Sequence, residues 1–129
     1  MDTREKIIDL ARAAGIAAAR RRQGEPVKLV AGYFDVLTPD HVRRFRELAD
    51  GRVIMAAVLD PPDPLLGPRA RAELAAALSM IDYVFPLDGV DFEQALEKIQ
   101  PGEVVHEEIA DRRRSRALIE HVHRRNAGC

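Results

Sequence analysis

Val27-Lys28-Leu29-Val30-Ala31-Gly32-Tyr33-Phe34-Asp35-Val36-Leu37-Thr38-Pro39-Asp40-His41 is the stretch that decides the fold. Val27 to Ala31 is a short apolar run of strand type that ends at Gly32. Thr38-Pro39-Asp40 reads as a helix start, because threonine caps, proline suits the first helical position, and aspartate complements the positive end of the helix dipole. A strand, a glycine, a loop and a helix N-terminus in immediate succession present backbone N–H groups and a helix dipole to a phosphate. The spacing is neither G-x-G-x-x-G nor a Walker P-loop, so the device alone names no ligand.

Working outward, residues 3 to 22 set Ile7, Ile8, Leu10, Ala11, Ala14, Ile16 and Ala18 among charges, and predict one helix weakened at Gly15. The helix that starts at Thr38 runs to about Ala49 and is stopped by Asp50-Gly51. Arg52 to Leu59 follows as a second strand, continuously apolar as in a parallel sheet covered on both faces. Four prolines, at 61, 62, 64 and 68, make 60 to 68 an extended loop before a helix over about 69 to 80. That loop leaves the C-terminal end of a strand, the side on which ligands bind in open parallel sheets. Tyr83 to Leu87 is a third strand, Phe92 to Ile99 a helix, Glu103 to His106 a fourth strand, and 111 to 125 a closing helix with Ala117, Leu118, Ile119 and Val122 as its thin apolar stripe. The pattern predicts an α/β, doubly wound, mainly parallel sheet in a single domain over 1–129, with its core in 27–106.

With 129 residues, 47% of them hydrophobic, the chain suffices for one core. Charged residues make up 32% but nearly cancel, to a net −1, so no overall basic field points to nucleic acid. Arginine clusters at 20–22 and 112–114 read as solvated helix ends. The single cysteine, Cys129, has no partner in the chain for a disulfide, and no metal set is formed. No signal peptide and no bilayer-length apolar run is present, so a soluble cytoplasmic protein is expected, with neither membrane nor nucleic acid as partner.

Gly32 to Arg43 resembles the G-x-F-D-x-[LF]-[HT]-x-G-H signature of the nucleotidyltransferase superfamily that includes the cytidylyltransferases. The nearest resemblance within it is to the heptose-phosphate adenylyltransferase domain, whose counterparts of Arg71 to Leu78 and Ile81 to Pro86 are similar as well; it covers roughly residues 3 to 106. The resemblance implies a Rossmann-like fold, with His41 and Thr38 as the catalytic phosphate-holding pair. It also implies nucleotide contacts from Gly32, Tyr33, Phe34, Asp35 and Asp40, and Mg²⁺ with ATP or CTP when the protein is active. Two departures stand out. Asp40 replaces the glycine of H-x-G-H, and a carboxylate about 4 Å from a phosphate costs roughly 1 to 4 kcal/mol, or about one to three orders of magnitude in affinity. After the fourth strand, where the family has a lysine-containing segment, the chain reads His106-Glu107-Glu108, and Ser115 is a poor match to the family's serine/threonine-rich final motif.

Plainer readings stand beside these. His41 reads alternatively as an exposed first-turn residue, Asp35 as an acceptor of backbone N–H bonds, Phe34 as core, His106 as a polar strand end and Asp60 as a turn former. His121 and His123, two apart on a helix, cannot share a metal. Three functions are open: a diverged nucleotidyltransferase-like domain with weak or absent transfer that binds a nucleotide or small phosphorylated ligand; an active transferase from ATP or CTP to a sugar or alcohol phosphate; and a non-catalytic, homodimeric interaction scaffold.

Overall fold

A computed structural model describes residues 2–35, 38–87 and 89–108. A 3-10 turn at Thr3–Lys6 precedes α1 (Leu10–Arg22), β1 (Lys28–Gly32), α2 (Pro39–Ala49), β2 (Ile54–Val58), α3 (Pro68–Ala76), β3 (Tyr83–Pro86), α4 (Phe92–Ile99) and β4 (Glu103–His106). The four strands form one parallel sheet in the order β3-β2-β1-β4, with Leu29 opposite Met55 and Val104, and Ala57 opposite Phe85. The doubly wound parallel architecture is therefore as the sequence predicts. The expected helix over 111–125, with Ser115, His121, His123 and Cys129, lies outside the described residues.

Alternation along the strands sorts the core into two layers. Leu29, Ala31, Met55, Ala57 and Phe85 face α1 and α4, where Ala13, Ala17, Ala95 and Ile99 pack on them. Val30, Ile54, Ala56, Val58 and Val84 face the other way, toward Phe45 of α2 and Ala72, Ala75 and Ala76 of α3. β1 and β2 are buried along their whole length, which explains the apolar run of β2 and of β1 beyond Lys28. Each fully buried Leu, Ile, Val or Phe adds about 1.5–3 kcal/mol relative to exposure, so these two layers are the main source of stability.

The N-terminal helix differs from expectation. Instead of one helix over 3–22, the chain leaves its 3-10 turn at Ile7, which bridges Val84, and Ile8 donates its N–H to the Val84 carbonyl at 2.8 Å. Asp9 then caps α1, its carboxylate accepting the Arg12 N–H at 2.8 Å. Capping and β pairing together outweigh the helix propensity of the flanking residues. The helix after the proline loop is also shorter than predicted, ending at Ala76, because Leu78 and Ile81 turn inward to the core.

The four α-helices of the described residues all end at the edge where the strands begin, and three of those ends are capped from elsewhere in the chain. Arg21 of α1 donates to the Ile99 carbonyl at 2.5 Å and the Gln100 carbonyl at 3.1 Å, closing α4. Lys28 donates to the Leu48 carbonyl of α2 at 2.5 Å, and Lys6 to the Leu78 carbonyl just beyond α3 at 3.1 Å. Cations at helix C-termini meet orphan carbonyls and the negative end of the dipole together. Among the described residues no buried side-chain nitrogen or oxygen lacks a hydrogen-bond partner, and no helix is long and apolar enough to cross a membrane.

Candidate functional site

The chain runs from β1 outward to β2 and β3, then returns to place β4 on the other side of β1. The reversal sets the topological switch point at the C-terminal ends of β1 and β4, the position where open α/β sheets bind ligands. Gly32 sits at that end of β1, buried, its carbonyl accepting the Leu59 N–H at 2.9 Å. Tyr33 is half-buried, and Phe34 is buried with φ at 53°, a left-handed conformation that costs a bulky residue about 1–3 kcal/mol. Packing holds Phe34 there: its ring stacks on Phe45 at 5.6 Å, and Phe45 stacks in turn on His41 at 5.9 Å.

Thr38 is the N-cap of α2, with Pro39 at the first helical position. His41 occupies the third position, and its ring is turned back on the cap: Nδ1 accepts the Thr38 N–H at 3.3 Å and lies 3.3 Å from the Thr38 hydroxyl. This is the reaching-back half of a capping box, made by histidine instead of glutamate or glutamine. With Nδ1 accepting, the proton of the neutral ring sits on Nε2. His41 is only 1% exposed, so the reading of a first-turn residue open to water does not describe it. The structure thus brings Thr38 and His41 into contact, at the N-terminus of the helix that follows β1.

Asp35 is buried and points toward the proline-rich loop, where its two carboxylate oxygens accept the N–H groups of Leu65 at 2.7 Å and Leu66 at 2.8 Å. Arg71, to which the sequence reading assigned no role of its own, grips the same loop from the other side. It is 1% exposed and donates to the carbonyls of Leu59 at 2.6 Å and Leu66 at 3.2 Å and to the Asp60 carboxylate at 2.8 Å. A signal was present: Arg71 shares a helix face with Ala72, Ala75 and Ala76, the buried side of α3.

Asp40, Glu107 and His106, also at this edge, are each paired. Asp40 is 65% exposed and forms an ion pair with Arg43 one turn along α2. Glu107, just past β4, is buried and binds Arg44 of α2 at 2.8 Å, while its N–H donates to the Ala31 carbonyl at 2.8 Å. His106 is exposed, with Nδ1 3.1 Å from Glu108 and its ring edge-on to Phe92. A 30 Å³ cavity lined by Val58, Asp60, Pro68, Pro86 and Leu87 opens at the strand ends. Two larger hollows, of 650 Å³ and 290 Å³, lie at the opposite edge against Tyr83 and Val53, remote from Thr38 and His41. Among the described residues no group of three His, Cys, Asp or Glu is placed to hold a metal ion.

No family model matches the chain. It is 32% identical over 114 residues to a bifunctional protein HldE from Geobacter sulfurreducens, an alignment that takes in 81% of this chain and 23% of that protein. The chain therefore spans less than a quarter of that relative's length. Among solved structures, the lipopolysaccharide core biosynthesis protein from Thermoplasma volcanium is similar with a TM-score of 0.55 at 16% identity, over 60% of this chain and 70% of that one. At that identity the likeness is one of fold.

Proposed function

We propose, on the premise that this chain is a cytidylyltransferase-like domain homologous to part of HldE, that it binds a nucleotide or small phosphorylated ligand in the cytoplasm and transfers a nucleotidyl group weakly or not at all. The observation that carries this reading is the pairing of cations at the ligand edge. Arg43, Arg44 and Arg71 are each held by a carboxylate, from Asp40, Glu107 and Asp60. Nucleotidyl transfer depends on offsetting the charge that builds on departing pyrophosphate, and a guanidinium already engaged by a carboxylate offers less to that charge. Binding asks for less. The N-terminus of α2 supplies dipole and N–H groups. Mg²⁺ would arrive on the phosphates of ATP or CTP and neutralise part of their charge.

The contact between Thr38 and His41 favours a second reading, in which the pair still supports transfer from ATP or CTP to a sugar or alcohol phosphate. Calorimetric titration with Mg-ATP and Mg-CTP tests binding. Pyrophosphate release with heptose-, glycerol- and ethanolamine-phosphates then separates the two readings: binding without release supports the first, and sustained release the second. No heat and no thermal shift at millimolar nucleotide would overturn both and leave a homodimeric scaffold.

A further inference from the structure

The loop between β2 and α3 carries three prolines, at 61, 62 and 64, with a fourth, Pro68, opening α3, and two exposed leucines, Leu65 and Leu66. A connection of this kind is ordinarily free to move. Here it is held from both sides. Asp35, three residues before the cap of α2, takes both leucine N–H groups in one buried carboxylate. Arg71 fills the space behind the loop with a guanidinium bonded to Leu59, Asp60 and Leu66. The proline rings remove much of the remaining backbone freedom.

We infer that Asp35 and Arg71 are positioning residues of the candidate site: they fix the 60–67 loop as a preformed wall beside the turn that leads into α2. The inference rests on the ligand-binding reading above, and goes beyond it by giving Asp35 a tethering role in place of ligand contact. Both carboxylate oxygens are occupied by the loop, so Asp35 spends its charge on backbone donors. The wall links two segments that leave neighbouring strands at the ligand edge, β1 and β2. A ligand seated at the head of α2 then meets a surface that needs no ordering on arrival, which is how preorganisation raises affinity. The four prolines, Asp35 and Arg71 thus act as one unit.

The test uses the full chain and two variants, Asp35→Asn and the milder Asp60→Asn, whose side chain is 69% exposed and whose loss does not threaten folding. Amide hydrogen exchange is followed at Leu65, Leu66 and, as a reference inside the core, Ala56. In Asp35→Asn we expect exchange at Leu65 and Leu66 to quicken at least 10-fold with Ala56 unchanged, and affinity for Mg-ATP or Mg-CTP, whichever the wild type binds, to fall about 10-fold. Asp60→Asn shifts the same readouts in the same direction, by less. A purely structural role would instead lower protection at Ala56 along with the rest. The inference is overturned if Leu65 and Leu66 stay protected in Asp35→Asn, or if they exchange freely while affinity holds. Should Asp35→Asn fail to fold, unchanged affinity and exchange in Asp60→Asn overturns it. A wild type that binds neither nucleotide at millimolar concentration overturns the ligand reading itself, a result distinct from a wild type that binds and a variant that binds equally well.

Discussion

Replacing Asp40 with glycine restores the residue that the H-x-G-H pattern has at this position, and the structure allows the gain to be bounded. A bare carboxylate about 4 Å from a phosphate costs about 1 kcal/mol in water and about 4 kcal/mol at a partly buried site. Asp40 belongs near the lower figure, because its side chain is 65% exposed and Arg43 already offsets its charge. Asp40→Gly is therefore expected to tighten Mg-ATP or Mg-CTP binding about 5- to 10-fold, the factor that corresponds to roughly 1–1.4 kcal/mol. The same change weakens α2, since an acid in the first turn is worth about 0.3–1 kcal/mol and glycine costs up to about 1 kcal/mol more in a helix. Melting should accordingly fall by a few degrees. Asp40→Asn separates charge from bulk: if repulsion is the cause, asparagine recovers most of the gain, and if crowding is, only glycine does. Isothermal titration in 0.1 M and 1 M salt adds a second check, because the Debye length contracts from about 10 Å to about 3 Å and an electrostatic gain should shrink with it. Equal affinity for wild type, Asp40→Gly and Asp40→Asn at low salt would refute the account of Asp40 as a source of repulsion.

Three further outcomes are expected. Arg71→Met, which leaves the carbonyls of Leu59 and Leu66 without their donor, should lower unfolding free energy by about 2–4 kcal/mol in urea titrations, with Arg71→Lys no better because an ammonium cannot serve three acceptors in a fork; a lysine variant as stable as wild type would contradict this. Gly102→Ala would place a methyl group 2.8 Å from the Cβ and Cγ of Pro26, and the overpacking should cost about 1–3 kcal/mol by the same measurement; an unchanged denaturation midpoint would show that Pro26 yields freely. The Asp2 carboxyl, held by hydrogen bonds from Arg4, is lowered from 3.8 to about 2, so its contribution is present above pH 3.8 and lost as the pH falls through about 2. NMR titration of the full chain should find that midpoint, and Arg4→Ala should return it toward 3.8; no change on removing Arg4 would sink the assignment.

The strands and α2 to α4 were legible because their signals are local: unbroken apolar runs, the Thr38-Pro39 start, and the stop at Asp50-Gly51. The start of α1 was not, since Asp9 is a capping residue set inside an otherwise helical composition and its effect depends on Ile7 and Ile8 reaching β3. In the site, the segment from Gly32 to His41 was readable as a phosphate-side turn, but the directions of its side chains were not. Asp35 turns to a loop 30 residues away, and Asp40 turns outward to Arg43. Arg71 and the Arg44–Glu107 pair were missed for a shared reason: a charge becomes buried only when tertiary packing supplies its partner, and those partners are 11 and 63 residues distant.

The basic caps on α2, α3 and α4 give the molecule a division of labour between its two ends. Bonds from charged donors to carbonyls are worth about 1.5–3 kcal/mol each when well made, and all three are concentrated at the end away from Thr38 and His41. At the other end Asp35, Arg71 and Glu107 are pinned by buried bonds of their own, but an exposed residue such as Asp40 is not needed to keep the helices seated. An inserted acid such as Asp40 then perturbs recognition more than it endangers folding. A chain wired in this way can exchange one ligand for another, or abandon an old reaction, and still remain a folded protein.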